Sequence, residues 1–204
     1  MALDHFVGRI ETVDLLHFDN ATEYVAAAQQ MKTRFDTRDA NRPASKGVAK
    51  RAVRRMLEGA RTVLYDSGLP HCYWSEAVEA YCANRNFYDE IRNTKKTAHQ
   101  LRFGHKFKGI KVPFGAAVRW LPAGERLSSA RGKFDPRTRP GIFVGCKIAS
   151  GGVGHGVYHV TDVDDYVNAE SHHKVYIQET KELVLQNNWS FLARRMFWYP
   201  RKLP

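Results

Sequence analysis

The sequence predicts a mixed α+β protein, with helices in its first half and strands in its second. Residues 46–64 and 74–82 each repeat apolar side chains at the spacing of an amphipathic helix. From Val112 onward, short apolar runs alternate with glycine and proline, which is typical of a small β domain. A hydrophobic content of 43% over 204 residues is enough for one substantial core or two small ones.

Charge is the strongest compositional signal. The formal net charge is +11 with a pI near 9.7, so nucleic acid is the first partner to consider and an anionic membrane the second. No apolar run approaches the length of a membrane span, which argues against a membrane protein. The three cysteines lack metal or redox spacing, and we expect them to be small buried residues in a reducing compartment.

Residues 1–45 predict a strand, a helix and a second strand. The first strand covers 13–18 and is expected to be buried, the helix runs from Tyr24 to Met31, and the second strand covers 32–37. Asp19 follows the first strand directly. It either caps the helix or lies at the carboxyl end of a strand, where α/β folds place their ligands.

The run 46–64 predicts a helix with one apolar and one cationic face. Its apolar stripe is expected to face a core and consists of Ala49, Val53, Met56, Ala60 and Val63. Its cations lie opposite the stripe or on its shoulders and are Lys50, Arg51, Arg54, Arg55 and Arg61. Residues 32–61 carry ten Lys/Arg against three acids, a net charge of 10 − 3 = +7. Such a density favours contact with a polyanion over an ordinary solvated face.

The remaining chain predicts a second helix, a connector and a β domain. Trp74 and Tyr81 lie on the apolar stripe of the second helix and are expected in the core. Residues 93–111 are predicted to be a linker. The predicted strands of a small bent barrel cover 116–121, 141–148, 156–161, 174–178 and 182–186. Within the tail 191–204, residues 194–202 alternate cations with aromatic residues, which suits either stacking on single-stranded nucleic acid or a tail that is flexible or docked onto the core.

Several of these stretches, in this order, resemble one family. The run Lys46-Gly47-Val48-Ala49-Lys50-Arg51-Ala52-Val53-Arg54-Arg55, the motif Ser67-Gly68-Leu69-Pro70, and Arg139-Pro140-Gly141-Ile142-Phe143-Val144-Gly145 are similar to copia-type retrotransposon integrases. The resemblance covers about residues 13–186. It implies a truncated RNase-H-like α/β integrase core followed by a small β-barrel of the Src-homology-three kind.

The same resemblance implies a damaged catalytic site. Integrases of this family use three carboxylates to hold divalent metal, normally Mg²⁺, for in-line attack on a phosphodiester. Asp19 matches the second acid, whereas Lys50 occupies the position of the third, a glutamate. Eighteen residues precede Asp19, which leaves no room for the strand that carries the first acid. Because an ammonium group repels a cation, we expect Asp19 to be a vestigial metal ligand and no Mg²⁺ to be bound.

Two further hypotheses concern this site. If the family geometry survives, Lys50 and Asp19 face one another and form an ion pair where metal would lie. A rebuilt acid set of Asp19, Asp36 and Glu58 is the alternative, but Glu58 lies about 12 Å along the helix axis from Lys50. A pairing of Glu58 with Arg54 or Arg61 on the helix surface explains that residue better. The histidines lack zinc spacing.

Three functional hypotheses follow. The first is a degenerate integrase fragment without strand-transfer activity, the second a stand-alone non-catalytic nucleic-acid-binding module, and the third an active metal-dependent nuclease. The expected domains are a partial integrase core over 1–92, the linker, a barrel over 112–190 and the tail. We expect contacts with the phosphate backbone of duplex DNA from Lys46, Arg51, Arg54, Arg55 and Arg61. The protein is expected to be intracellular, and nuclear if functional; self-association is left open.

Overall fold

The computed structural model describes residues 2–8, 11–18, 21–37, 43–122, 136–169, 175–185 and 188–198. Within these ranges the backbone alone is described for 2–4, 43–46 and 196–198. The protein is a mixed α+β structure, as predicted. It separates into two compact units, Met1–Arg55 with Ala149–Val153, and Met56–Ile148 with Gly154–Pro204.

The first unit contains a parallel β-α-β arrangement. After helix α1 (Ala2–Val7) come strand β1 (Leu16–Phe18), helix α2 (Thr22–Gln30) and strand β2 (Phe35–Thr37). The two strands pair in parallel, with Leu16 opposite Phe35 and Phe18 opposite Thr37. The rings of Phe18 and Phe35 stack with centroids 5.6 Å apart. The prediction that β1 is buried is wrong, because Leu16 and Phe18 are only half-buried and His17 is exposed.

After β2 comes the long helix α3 (Pro43–Ser67). Its last twelve residues belong to the second unit. A short 3₁₀ turn (His71–Tyr73) leads into α4 (Trp74–Tyr88). The strands β3 (Glu90–Ile91) and β4 (Lys96–Thr97) form a small hairpin before α5 (Ala98–Phe103). Thr97 and Gln100 cap α5 reciprocally, so part of the predicted linker is folded into regular structure.

Five antiparallel strands complete the second unit. They are β5 (Ala117–Trp120), β6 (Arg139–Ala149), β7 (Val153–Asp162), β8 (Ile177–Thr180) and β9 (Leu183–Leu185). Helix α6 (Val163–Asn168) follows β7, and α7 (Leu192–Trp198) follows β9. Each of the five predicted strands is present with shifted ends.

The five-stranded sheet is strongly curled. Its order is β8-β7-β6-β5-β9, so β8 and β9 form opposite edges, yet only Lys181 and Glu182 separate them in the chain. Two residues span less than about 10 Å, so both edges must meet at this point. The Thr180 hydroxyl donates to the Leu121 carbonyl oxygen at 3.1 Å, which ties the end of β8 to the end of β5.

One hydrophobic cluster joins helices to this sheet. Its buried members come from α3, the turn after it, α4, the segment before β5, the sheet and α7, and include Leu64, Leu69, Tyr73, Ala77, Phe114, Ile142, Val144 and Ala193. The core therefore unites residues that the sequence assigned to separate domains. A second cluster fills the curled sheet around Trp120, Phe143 and Val160.

Two predictions about core residues need correction. Trp74 is 63% exposed, because α4 buries the face formed by Ala77, Ala80, Ala83 and Phe87. Because alanine side chains are small, the neighbouring residues can pack closely against this face of α4. The face that carries Trp74 is left in solvent. In α3, Ala49 and Val53 are exposed, Met56 and Val63 are half-buried, and Ala60 is buried. The prediction of a stripe facing a core along the whole helix is thus wrong for its first half.

Candidate nucleic-acid interface

The candidate interface lies on α3, and the ends of this helix are set by local sequence. Pro43 occupies the first helical position, where its fixed φ is favourable and its missing N–H costs nothing. Gly68 ends the helix with a φ of +73°, a conformation that side chains other than glycine rarely adopt. Its N–H donates to the Tyr65 carbonyl oxygen at 3.2 Å. The helix of 25 residues is about 37 Å long.

Close backbone packing holds the carboxyl end of α3. Ser67 is completely buried, and its hydroxyl donates to the Leu64 carbonyl oxygen at 2.6 Å and accepts from the Leu69 N–H at 3.0 Å. A Cβ on Gly68 would lie 2.3 Å from the Cα of Arg194, and a Cβ on Gly115 would lie 2.2 Å from the Cβ of Ser67. These contacts anchor the last turn of α3 against α7 and the segment that precedes β5.

The cations of α3 project away from its buried side. At 100° per residue, Lys50, Arg54 and Arg61 fall within about 40° of one another, and Arg51 and Arg55 widen the row to about 140°. The buried Ser67 lies at least about 100° around the helix from each of these cations and the buried Ala60 at least about 80°, whereas the buried Leu64 lies about 40° from Lys50. We call Lys50, Arg51, Arg54, Arg55 and Arg61 the basic face of α3. All five side chains are exposed, so they are available to a ligand from solvent.

The electrostatics of the basic face are dominated by these cations, with one acid among them. From Lys50 to Arg61 the row extends about 16 Å along the helix axis, a length over which duplex DNA carries about ten phosphate charges. Glu58 is exposed within this row, and both Glu58 and Arg54 make interactions within the protein. The Arg51 guanidinium lies back over Gly47, where a Cβ would be 3.2 Å from its Nη1. The face retains a clear excess of positive charge.

Other predicted site residues fall partly outside the described structure. Lys46 belongs to α3, but its side chain lies outside the described residues, as does the whole of Asp19. The ion pair between Lys50 and Asp19 therefore stays a prediction. Lys50 itself is exposed in the first half of the helix.

The structure brings no group of metal ligands together in its described part. There, three or more His, Cys, Asp or Glu side chains never cluster closely enough to hold a metal ion. Asp36 lies beside His17, with 3.5 Å between its Oδ2 and the histidine Nδ1, and both are about half exposed. Glu58 lies on the basic face. Neither Asp36 nor Glu58 of the alternative acid set belongs to a group of three or more such side chains among the described residues.

Sequence reasoning missed a buried ion pair in the sheet. The Arg139 Nε lies 2.7 Å from Oδ2 of Asp162, whose side chain is fully buried, and Nη2 lies 3.0 Å from Oδ2 of Asp164. The hydrogen bond to Asp162 raises the pKa of Arg139. Asp162 Oδ1 also accepts from the Asp164 N–H at 3.0 Å and so caps α6. Because 23 residues separate Arg139 from Asp162, only the strand pairing brings them together.

A second polar cluster lies on the outer face of the same sheet. The Lys147 ammonium donates to both carboxylate oxygens of Glu179, at 2.9 and 2.8 Å, and Nε2 of His159 lies 3.7 Å from the same carboxylate. The hydrogen bond from Lys147 lowers the pKa of Glu179. Lys147 and Glu179 are about half exposed, so the stabilising effect of their ion pair is small, and His159 of β7 is half-buried beside them.

The start of the predicted basic aromatic tail is docked onto the core. Ala193 is buried in the first hydrophobic cluster and Phe191 packs against the second, whereas Arg194 and Arg195 are exposed. Residues 199–204 of this tail lie outside the described residues. Phe191 and Ala193, which precede the alternating run of cations and aromatic residues, therefore pack against the hydrophobic clusters.

Comparison with known families does not assign the chain, because no protein-family model matches it. Among the described residues, no helix combines the length and apolar character needed to cross a bilayer. The interpretation of the basic face accordingly rests on its own geometry and charge.

Proposed function

We propose that this protein is a non-catalytic nucleic-acid-binding protein that contacts phosphate backbones through the basic face of α3. The observation that carries the proposal is the row of five exposed cations on the side of α3 that faces away from the buried Ala60 and Ser67. A helix anchored at one end and charged along its outer side presents its guanidinium groups in a fixed row. Guanidinium groups bind phosphate oxygens with two parallel hydrogen bonds, which suits them to this contact.

We further propose that the chain is a degenerate relative of copia-type integrases, combining part of an RNase-H-like core with a barrel of the Src-homology-three kind. The parallel β1-α2-β2 unit ahead of the basic helix and the curled five-stranded sheet after it support this proposal. In such a relative, Lys50 takes the place of a metal-binding glutamate, and its cation contributes to phosphate binding instead. Strand transfer is not expected, because an ammonium group neither binds Mg²⁺ nor offsets its charge.

Salt dependence provides the main test. Affinity for a labelled duplex, measured by fluorescence anisotropy, should fall steeply between about 50 and 200 mM salt. Each phosphate contact contributes about −0.9 to the slope of log K against log salt. The double variant Arg51→Glu/Arg55→Glu should therefore weaken binding to unrelated duplexes alike and reduce the slope by about 2.

The control variant is Lys106→Glu/Lys108→Glu, which changes the net charge equally at two exposed positions outside α3. If net charge alone attracts the duplex, both double variants will lose the same affinity and the proposed interface is wrong. Strong dependence on base sequence would also contradict it, since backbone contacts carry no sequence information. Nicking of supercoiled DNA by the purified protein with Mg²⁺ or Mn²⁺ would contradict the absence of catalysis.

A further inference from the structure

An exposed tyrosine continues the basic face at its carboxyl end. The Tyr65 side chain is 67% exposed and lies one turn after Arg61, about 40° around the helix from it. It is therefore on the charged side of α3 and not on the side of Leu64, which is buried. Tyr65 also makes an interaction within the protein, and most of its side chain remains accessible on the side of Arg61, which suits an aromatic residue to contact with a planar ligand.

The end of a helix explains why a ring, and not another cation, suits this position. The last turn of α3 contains no basic residue, and its carbonyl groups give this end a partial negative charge. A phosphate bound directly there would be repelled, whereas the uncharged face of a base would not. Arg194, whose backbone lies against Gly68, brings an exposed cation to the same end of the helix. Asp66 is exposed too, but it is about 100° away from Tyr65 around the helix.

We infer that Tyr65 is a base-stacking residue and that the interface prefers nucleic acid with unpaired bases, such as a single strand or a frayed end, over a closed duplex. The inference rests on the proposed function, because the cations of α3 must first hold the phosphate backbone. Stacking needs an unstacked base, so a duplex with closed ends gains nothing from Tyr65. Every base has an aromatic face, so the preference for unpaired bases is independent of their sequence.

The experiment compares a single-stranded oligonucleotide with a closed duplex, both binding to the full chain, by fluorescence anisotropy. Tyr65→Ala should weaken binding to the single strand by about five- to hundred-fold and leave duplex binding within about two-fold. Tyr65→Phe should retain most of the affinity for the single strand, because the ring survives. Tyr65→Leu should not, although it keeps an apolar side chain. The control is Tyr176→Ala, which removes a tyrosine that is 69% exposed and distant in the chain.

The outcomes separate the two proposals. If neither oligonucleotide binds in a salt-dependent way, the proposed function fails and the inference fails with it. If both bind through the basic face but Tyr65→Ala behaves like Tyr176→Ala, only the role of Tyr65 is refuted. An equal loss on single strand and duplex would also refute it, since stacking requires an unpaired base. Circular dichroism of each variant checks that the fold is retained.

Discussion

The two halves of α3 have the same periodicity but opposite surroundings. In the second half, Ala60 and Leu64 are buried and Ser67 is completely enclosed, whereas in the first half Ala49 and Val53 of the apolar stripe are exposed. The helical pattern of apolar residues is equally clear in both. Periodicity therefore predicts that a segment is helical, but whether its apolar face is covered depends on which other segments reach it.

The largest expected effect tests this contrast with two apolar truncations. Leu64→Ala should lower the free energy of unfolding by about 2–5 kcal/mol, because it leaves a cavity among packed neighbours. Val53→Ala should change it by less than about 0.5 kcal/mol, because Val53 is largely in solvent and alanine favours the helix. Urea unfolding of both variants measures the difference. A large loss for Val53→Ala would show that its side chain is covered in solution.

Two glycines in the same helix give the next largest effect. Replacing them with alanine should change the free energy of unfolding in opposite directions. A Cβ on Gly59 would lie 2.1 Å from the ring of Tyr81, so Gly59→Ala forces a shift in the packing with α4 and should be net destabilising by about 1–2 kcal/mol. A Cβ on Gly47 meets only the mobile end of Arg51 at 3.2 Å. Gly47→Ala should therefore stabilise the helix by about 0.5–1 kcal/mol.

Thermal unfolding followed by circular dichroism checks the signs of these two changes. A destabilised Gly47→Ala variant would indicate that the first half of α3 packs against something in solution. A neutral Gly59→Ala variant would indicate that the Tyr81 ring moves aside at little cost. Either result would remove the contrast between the two halves.

The sequence predicts most elements of the fold, because each depends on local pattern. The helices α2, α3 and α4 follow from apolar spacing, and the five strands follow from short apolar runs separated by glycine and proline. The positions of cations on α3 also follow from spacing alone. What local pattern does not contain is the partner of each face. The ion pair of Arg139 with Asp162, the exposure of Trp74 and the packing of Gly68 on Arg194 all depend on residues distant in the chain.

A smaller effect concerns the pH dependence of the free energy of unfolding in the second unit. His99 is 4% exposed among Phe87, Phe103 and Phe107, and its Nδ1 lies 3.1 Å from the carbonyl oxygen of His105, to which it donates. Burial lowers the pKa of His99 from its ordinary value near 6.5. The unfolded chain therefore binds this proton first, and stability should fall as the pH drops from about 6.5 toward the lowered pKa.

His99→Phe should flatten this part of the stability curve, since phenylalanine fits an aromatic cluster and does not titrate. Urea unfolding at a series of pH values measures the slope, and His155→Phe, at an exposed position, serves as the control. An unchanged slope in His99→Phe would assign the pH dependence to other groups.

The smallest expected effect concerns the ion pair predicted between Lys50 and Asp19. Lys50 is exposed in the first half of α3, and ion pairs of exposed side chains contribute about 0–1 kcal/mol. A double-mutant cycle of Lys50→Gln and Asp19→Asn should therefore give a coupling energy below about 1 kcal/mol. A coupling of several kcal/mol would mean that the two charges meet in a buried place, which requires the first half of α3 to be covered there. The contrast between the halves of the helix would then be wrong at Lys50.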